Sequence, residues 1–192
     1  MRRPFISRSA RRGMTLVELS VVLVVLLTAV SIFSNTMMAT ARQRVMHREN
    51  SLAADAARTV VERMLDTPFD ERFALYNEDP LDDPDGPGTA PGSRFAVPGL
   101  PPVPGAPGGM AGSIRFPAVN VGTVDAPVWQ LREDVVDPGL SMPRDLSSDF
   151  KVDALDHSTD YTRLPVEVQV EWQGRVGRQD YRLVTLMVEY RR

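Results

Sequence analysis

The chain has 192 residues, of which 43% are hydrophobic and 24% charged, with a formal charge of −3 and no cysteine. This length suits one domain of ordinary size. The lack of cysteine excludes disulfide frameworks, thiolate zinc sites and cysteine nucleophiles. With two histidines and a net negative charge, the sequence also argues against a histidine-rich metal centre and against general attraction to nucleic acid.

The N-terminus combines a basic block with an apolar run. Residues 1–13 hold five arginines and no acidic residue, and without them the chain has 17 basic and 25 acidic residues and a formal charge of −8. No charge occurs in residues 19–33. A helix over residues 14–33 would be about 30 Å long, which matches a bilayer core. Arginines before this span predict a cytoplasmic N-terminus and an extracytoplasmic remainder.

Three kinds of segment share this pattern. One is a secretory signal peptide, with Ala39-Thr40-Ala41 as its cleavage signal. The second is an uncleaved signal anchor, and the third is a prepilin signal, in which cleavage precedes the apolar run. Glu18 separates them, because a carboxylate at the head of a membrane helix costs about 2–3 kcal/mol. Neither a signal peptide nor an anchor gains anything from that cost.

The segment Gly13-Met-Thr-Leu-Val-Glu18, set between arginines and an apolar helix, resembles the class III signal of type IV pilins and type II secretion pseudopilins. The resemblance implies that a prepilin peptidase cleaves after Gly13 and methylates the new amine of Met14. It also implies that Glu18 faces the N-terminal amine of a neighbouring subunit during assembly. Met14 departs from the commoner phenylalanine of the family.

The same resemblance implies a structural subunit and not an enzyme. Its expected partners are the prepilin peptidase, other pilin or pseudopilin subunits and an inner-membrane assembly platform. No nucleic acid is expected, because the chain without residues 1–13 has a charge of −8. No cofactor is expected other than the calcium considered below. The expected location is the inner membrane in a single pass, with the C-terminal domain periplasmic, and a filament after assembly. Because many type IV pilins close a C-terminal loop by a disulfide, the absence of cysteine favours a pseudopilin or minor pilin. Protein secretion, pilus formation and DNA uptake stay open, and the alternative is an exported or membrane-anchored binding domain.

Catalytic motifs are missing from the sequence. Neither His47 nor His157 occurs in a two-histidine metal spacing. Asp156, His157 and Ser158 are consecutive, and adjacent side chains rarely converge as a catalytic triad does. We therefore expect no enzymatic activity, and we expect His157 to lie on a surface loop.

Residues 34–67 continue the helix as an amphipathic segment. Apolar residues recur at spacings of four or seven, which predicts one buried stripe: Ala41, Val45, Leu52, Ala56, Val60 and Met64. Neither proline nor glycine interrupts residues 14–67. Pro68 is predicted to end the helix, because the residue before a proline disfavours helical geometry.

Residues 68–112 are predicted to be a poorly ordered, acidic surface loop. Residues 67–112 hold ten of the sixteen prolines and eight of the thirteen glycines, which argues against a regular helix or a central strand. Asp82, Asp83 and Asp85 are weak candidates for calcium ligands, since calcium prefers clustered oxygen atoms. An EF-hand alignment fails because it places Leu81 at the first ligand position. A solvated acidic loop is the favoured interpretation.

Residues 113–192 are predicted to form a small antiparallel sheet. Residues 114–119 and 127–131 are short candidate strands, the first interrupted by Pro117. Residues 166–172 alternate between apolar and polar, which predicts a strand with one buried face. Residues 181–190 are apolar on both faces, which predicts a central strand joined to the previous one by a turn over 173–179. Trp129 and Trp172 are predicted core residues.

These segments predict an α+β fold in which a long N-terminal helix packs on a small antiparallel sheet. The predicted organisation is a leader at 1–13, a transmembrane and assembly helix at 14–33, and its amphipathic continuation at 34–67. The Pro/Gly-rich acidic loop at 68–112 and the sheet region at 113–192 follow. This architecture is also the one that the resemblance to pilins and pseudopilins implies.

Overall fold

The computed structural model describes residues 15–123 and 127–190. The chain divides into two compact units, one up to Arg44 and one over Val45–Arg192. Helix α1 runs over Leu16–Asp66, and its second half packs on an antiparallel sheet within the second unit. The predicted α+β class with a long N-terminal helix is therefore confirmed.

The first half of α1 is apolar on all sides. Leucine and valine dominate residues 16–30, and neither glycine nor proline interrupts them. The side chains from Thr15 to Arg44 are exposed to the surroundings. Among the described residues, α1 is the one helix long and apolar enough to cross a membrane, with a mean hydropathy of 2.6 over its most apolar window and none of that window buried.

The second half of α1 is amphipathic and ends where Pro68 predicts. Val60 and Met64 are buried, as the stripe predicts, but Ala41 is exposed. The centre of the buried face lies one residue further along the helix than predicted, at Ala53 and Ala57 instead of Leu52 and Ala56. A helical wheel alone cannot separate neighbouring positions on a broad apolar face. Alanine at this centre leaves room for the helix to lie close to the strands.

The prediction of a poorly ordered loop over residues 68–112 is wrong. A 3-10 turn at Phe69–Glu71 leads into helix α2, Arg72–Tyr76. Strand β1, Arg94–Phe95, follows further along the chain. The segment also supplies core side chains, and the buried ones are Phe73, Tyr76, Val97, Leu100 and Ala111. Single apolar side chains between turns anchor it, a pattern too sparse to produce a periodic signal.

Five further strands complete two antiparallel sheets. They are β2 (Gly112–Arg115), β3 (Ala118–Asn120), β4 (Trp129–Leu131), β5 (Arg163–Gly174) and β6 (Gly177–Val188). The larger sheet has the order β1-β2-β5-β6, and β3 pairs with β4 separately. Pro117 separates β2 from β3, as predicted. β5 and β6 form a hairpin that turns through Arg175 and Val176.

The structure places the two long strands differently from the sequence prediction, which gave residues 166–172 one buried face and residues 181–190 a central position. β5 lies between β2 and β6, and both of its faces are buried over residues 164–168. β6 is an edge strand, and its outer-face residues Val184, Leu186 and Val188 are 46%, 41% and 52% exposed. The prediction of a central strand at 181–190 is therefore wrong. Apolar alternation reports which faces carry apolar side chains, but not whether another strand or loop covers them.

The core lies between α1 and the inner face of the larger sheet. A main cluster joins buried side chains of α1, α2, β2 and β5, among them Ala57, Val60, Met64, Phe73, Ile114, Leu164, Val166 and Val168. A second cluster surrounds Trp172, which is fully buried as predicted: Ala53, Val97, Leu100, Ala111 and Val170. Trp129 is partly buried against the main cluster.

Candidate functional site

The start of α1 carries the residues that the sequence singled out. Gly13 and Met14 lie outside the described residues. Thr15 immediately precedes the helix, and its Oγ1 accepts a hydrogen bond from the backbone N–H of Glu18 at 3.3 Å. Thr15 is therefore the N-cap of α1. Glu18 lies in the first turn, and its acidic charge there is favourable to the helix dipole.

Sequence reasoning missed this capping role of Thr15. Threonine followed by glutamate three residues later is the capping-box spacing, and it was the available signal. The hydrogen bond satisfies one of the backbone donors that every helix start leaves open. The same turn thus serves helix initiation and places the Glu18 carboxylate at a defined position.

The polar side chains that follow in the apolar half are satisfied within the helix. The hydroxyl of Ser20 donates to the carbonyl of Val17 at 2.8 Å, and that of Thr28 donates to the carbonyl of Val25 at 2.9 Å. Glu18 is the one ionisable residue between Leu16 and Phe33. The described part of this span therefore presents an apolar surface with a single carboxylate at its head.

The acidic residues near Asp82 make separate contacts. The Asp82 carboxylate accepts a 2.6 Å hydrogen bond from the side-chain amide of Asn77, and that of Asp83 accepts one from Ala90 N–H at 3.2 Å. Desolvation raises the pKa of Asp82 to about 6, although the residue as a whole is exposed and the Asn77 bond acts in the opposite direction. Among the described residues, Asp82, Asp83 and Asp85 do not form one of the groups whose ligand atoms converge on a common point. Calcium binding by these residues stays a prediction.

A different cluster of ionisable groups surrounds His157. The residue is buried, so the prediction of a surface position is wrong. Its Nδ1 lies 3.0 Å from Asp160, its Nε2 lies 3.2 Å from Asp153, and Glu133 Oε2 is 3.7 Å from Nε2. Desolvation tends to lower the pKa of His157, but the two aspartates and Glu133 outweigh it and raise the pKa.

Glu133 is fully buried at the centre of this cluster. Its Oε1 accepts hydrogen bonds from the backbone N–H groups of Leu146 at 2.6 Å and Ser147 at 3.0 Å. These donors and His157 compensate its charge, as buried carboxylates require. Sequence reasoning missed the cluster because its members are spread over residues 133–160. Their shared signal was an excess of acidic residues there.

Two groups in this region have the geometry to hold a metal ion. One is Glu133, Asp153 and His157, and the other is Glu133, Asp145 and Asp149. Carboxylate oxygens at such spacing suit a hard cation such as calcium. Glu133 already accepts hydrogen bonds from backbone N–H groups of this protein, so its burial does not require a metal ion. The cluster orders the loops between β4 and β5.

The described residues thus place Glu18 and Thr15 in one helical turn and bring Glu133 and His157 together. The acidic residues near Asp82 bond to different partners and do not converge on one point.

No family model, no curated protein and no solved structure matches this chain.

Proposed function

We propose that the chain is a pilin-like structural subunit, a type II secretion pseudopilin or a minor type IV pilin. The observation that carries this proposal is the head of α1, where one carboxylate stands at the start of an exposed, wholly apolar helical span. A buried charge is costly unless it is paired. The amine that cleavage after Gly13 would create on Met14 of a neighbouring subunit is a suitable partner, because it would be cationic and Met14 is four positions before Glu18 in the sequence.

In this proposal the N-terminal segment has three successive roles. The arginines of residues 1–13 orient the chain with its N-terminus in the cytoplasm. Cleavage after Gly13 by a prepilin peptidase, with methylation of Met14, then removes this basic block. The apolar half of α1 finally passes from the inner membrane into a helical filament, where an assembly platform positions it. The unit over Val45–Arg192 remains on the periplasmic side.

Packing in the two halves of α1 supports these roles. Up to Arg44 the helix leaves its apolar side chains exposed, which suits contact with lipid or with other helices. From Ala53 onward it buries one face on its own sheet. One helix can therefore anchor a folded domain and still offer an assembly surface.

Intact mass of the chain recovered from the membranes, periplasm and culture medium of bacteria that also express a prepilin peptidase tests the processing step. We expect a mature protein that begins at N-methylated Met14. A protein that begins at Arg42 would support a secreted binding domain, and one that keeps Met1 would support a membrane-anchored domain. Either of those two masses contradicts the proposal.

The role of Glu18 is tested by Glu18→Gln, which removes the charge and keeps the shape. We expect unchanged processing and a loss of filament incorporation. Glu62→Gln is the matched control, because Glu62 is an exposed glutamate on the second half of the same helix. Normal incorporation of the Glu18 variant would contradict the proposed pairing.

A further inference from the structure

Two arginines end the uncharged part of α1. No charged residue occurs between Glu18 and Arg42, and Arg44 follows two positions later. Both arginines belong to α1, and both side chains are exposed. Neither forms an ion pair with any residue that the structure describes. Their positive charges are therefore not compensated within the described part of the chain.

The rise of the helix sets how far these arginines lie from Glu18. Arg42 and Arg44 follow Glu18 by 24 and 26 positions, which in an α-helix corresponds to about 36 and 39 Å. A bilayer has a hydrocarbon core of about 30 Å and a total thickness of about 40–45 Å with its headgroups. With Glu18 at one edge of the core, the arginines lie about 6–9 Å beyond the opposite edge. Their long side chains reach the headgroup layer from there.

The two arginines point to nearly opposite sides of the helix. Successive residues of an α-helix are rotated by about 100°, so Arg42 and Arg44 are about 200° apart. Gln43 between them is exposed as well. A single protein surface that docks on one side of α1 meets only one of the two guanidinium groups. Lipid headgroups surround a membrane helix on all sides and can meet both, which favours lipid as the partner.

The charge of this site suits a phosphate group. Residues 19–48 contain no acidic residue, so no neighbour in the sequence offsets the two arginines. A guanidinium group binds phosphate through two parallel hydrogen bonds. Arginines on the extracytoplasmic side of a span oppose the usual charge bias of membrane proteins. In a chain that begins at Met14 they are also the first basic residues, which indicates a role on that side of the membrane.

We propose that Arg42 and Arg44 bind the phosphate groups of anionic phospholipids in the periplasmic leaflet, with one lipid on each side of α1. The contact holds the mature chain at a fixed depth in the bilayer after the basic segment 1–13 has been removed. This inference rests on the part of the proposed function that puts α1 across the inner membrane. It does not depend on filament assembly.

Energy transfer from a donor dye at position 43 measures which lipids surround this part of the helix. The chain has no cysteine, so Gln43→Cys gives one labelling site between the two arginines. The full-length chain is expressed with a prepilin peptidase, purified and reconstituted into phosphatidylcholine vesicles. The vesicles contain a trace of phosphatidylglycerol or of phosphatidylcholine that carries an acceptor dye on its acyl chain.

We expect phosphatidylglycerol to be enriched about fivefold over phosphatidylcholine around position 43, as for one arginine at an anionic surface. The enrichment should disappear at about 1 M salt, which screens charges beyond about 3 Å. Equal transfer to the two labelled lipids at low salt would overturn the proposal.

Charge variants that carry the same label are the controls. Arg42→Gln with Arg44→Gln should abolish the enrichment, whereas Arg42→Lys with Arg44→Lys keeps the charge and should retain it. Arg58→Gln with Arg63→Gln removes the same charge from exposed positions further along α1 and should leave the enrichment unchanged. Enrichment that persists without Arg42 and Arg44, or that is lost without Arg58 and Arg63, would contradict the proposed contact.

Two further measurements separate the lipid contact from a second copy and from the proposed function. Energy transfer between donor-labelled and acceptor-labelled copies, without lipid enrichment, would overturn the lipid contact in favour of a second copy of the chain. Filaments of chains that begin at methylated Met14, together with no lipid enrichment, would overturn the lipid contact alone. Lipid enrichment around a chain that keeps Met1 would overturn the proposed function and leave the lipid contact standing.

Discussion

The indole N–H of Trp172 donates a hydrogen bond to the carboxylate of Glu49 at 3.2 Å. This bond joins β5 to α1 across 123 positions of the sequence. Gly174 belongs to the same arrangement, since a Cβ there would lie 2.6 Å from Glu49 Oε2. The contact marks where the helix begins to pack on the sheet.

Glu49→Ala removes the acceptor of a fully buried indole. We expect the free energy of unfolding to fall by about 1–3 kcal/mol, because an unsatisfied buried donor keeps its desolvation cost. Glu49→Gln should lose less, since its amide oxygen can accept the same bond. Chemical unfolding of the full chain in detergent, followed by tryptophan fluorescence, measures both. Glu62→Ala, on the exposed face, is the control, and equal losses in the two alanine variants would contradict the role of the bond.

Arg72 closes the C-terminal end of α1. Its guanidinium donates to the carbonyls of Leu65 and Thr67, each at 3.1 Å, and lies over the ring of Phe69. Desolvation lowers its pKa. We expect Arg72→Met, which keeps the apolar stem, to cost about 1.5–3 kcal/mol of unfolding free energy, as for hydrogen bonds to charged groups. Arg58→Met on the exposed face should stay within about 0.5 kcal/mol.

The edge position of β6 predicts that a lysine substitution destabilises the protein much less on its outer face than on its inner face. Leu186 is 41% exposed on the outer face and Met187 is 3% exposed on the inner face. Leu186→Lys should change the unfolding free energy by less than about 0.5 kcal/mol, whereas Met187→Lys should cost several-fold more. Thermal unfolding of the two full-length variants measures the difference. Similar destabilisation by both would show that β6 is covered on its outer face.

The raised pKa of His157 predicts a pH dependence of stability. Protonated His157 is stabilised by Asp160, Asp153 and Glu133, so its contribution is full below the unfolded pKa of about 6.5. It is lost as pH rises through the higher folded pKa. The unfolding midpoint should therefore fall as the pH rises from about 6.5 through the higher folded pKa of His157, and His157→Gln should reduce that fall. Thermal unfolding in the presence of a chelator measures this fall without a contribution from metal binding. The same pH dependence in the wild type and in the His157→Gln variant would contradict the role of His157.

The cap at Thr15 predicts a local effect at the start of α1. Thr15→Val keeps the shape but removes the hydroxyl that accepts Glu18 N–H. Loss of an N-cap costs about 1 kcal/mol, so amide exchange at Glu18 should speed up several-fold in detergent micelles. Thr15→Ser should restore the wild-type rate, and a serine variant as fast as valine would argue against the cap.

Local sequence predicted the elements that depend on local physics. The run of apolar residues and the absence of proline and glycine in residues 14–67 predicted α1, and Pro68 predicted its end. Pro117 predicted the break between β2 and β3, and the alternation in residues 166–172 predicted β5. At the proposed assembly site, Thr15 and Glu18 share a motif of four consecutive residues, so their spacing was visible in the sequence.

The tertiary structure decided the features that depend on contacts between distant segments: strand order, burial and the clustering of charged side chains. Whether β5 or β6 lies inside the sheet depends on the pairing of β2 with β5, across a separation of about fifty residues. The order in residues 68–112 comes from single anchors such as Phe73 and Leu100, which become buried only when the sheet and α1 are in place. The burial of His157 beside Glu133, and a pocket walled by Phe73 and Trp129, likewise join segments far apart in the chain. Periodicity and turn chemistry are properties of neighbouring residues, whereas coverage of a face and convergence of charges are properties of the packed chain.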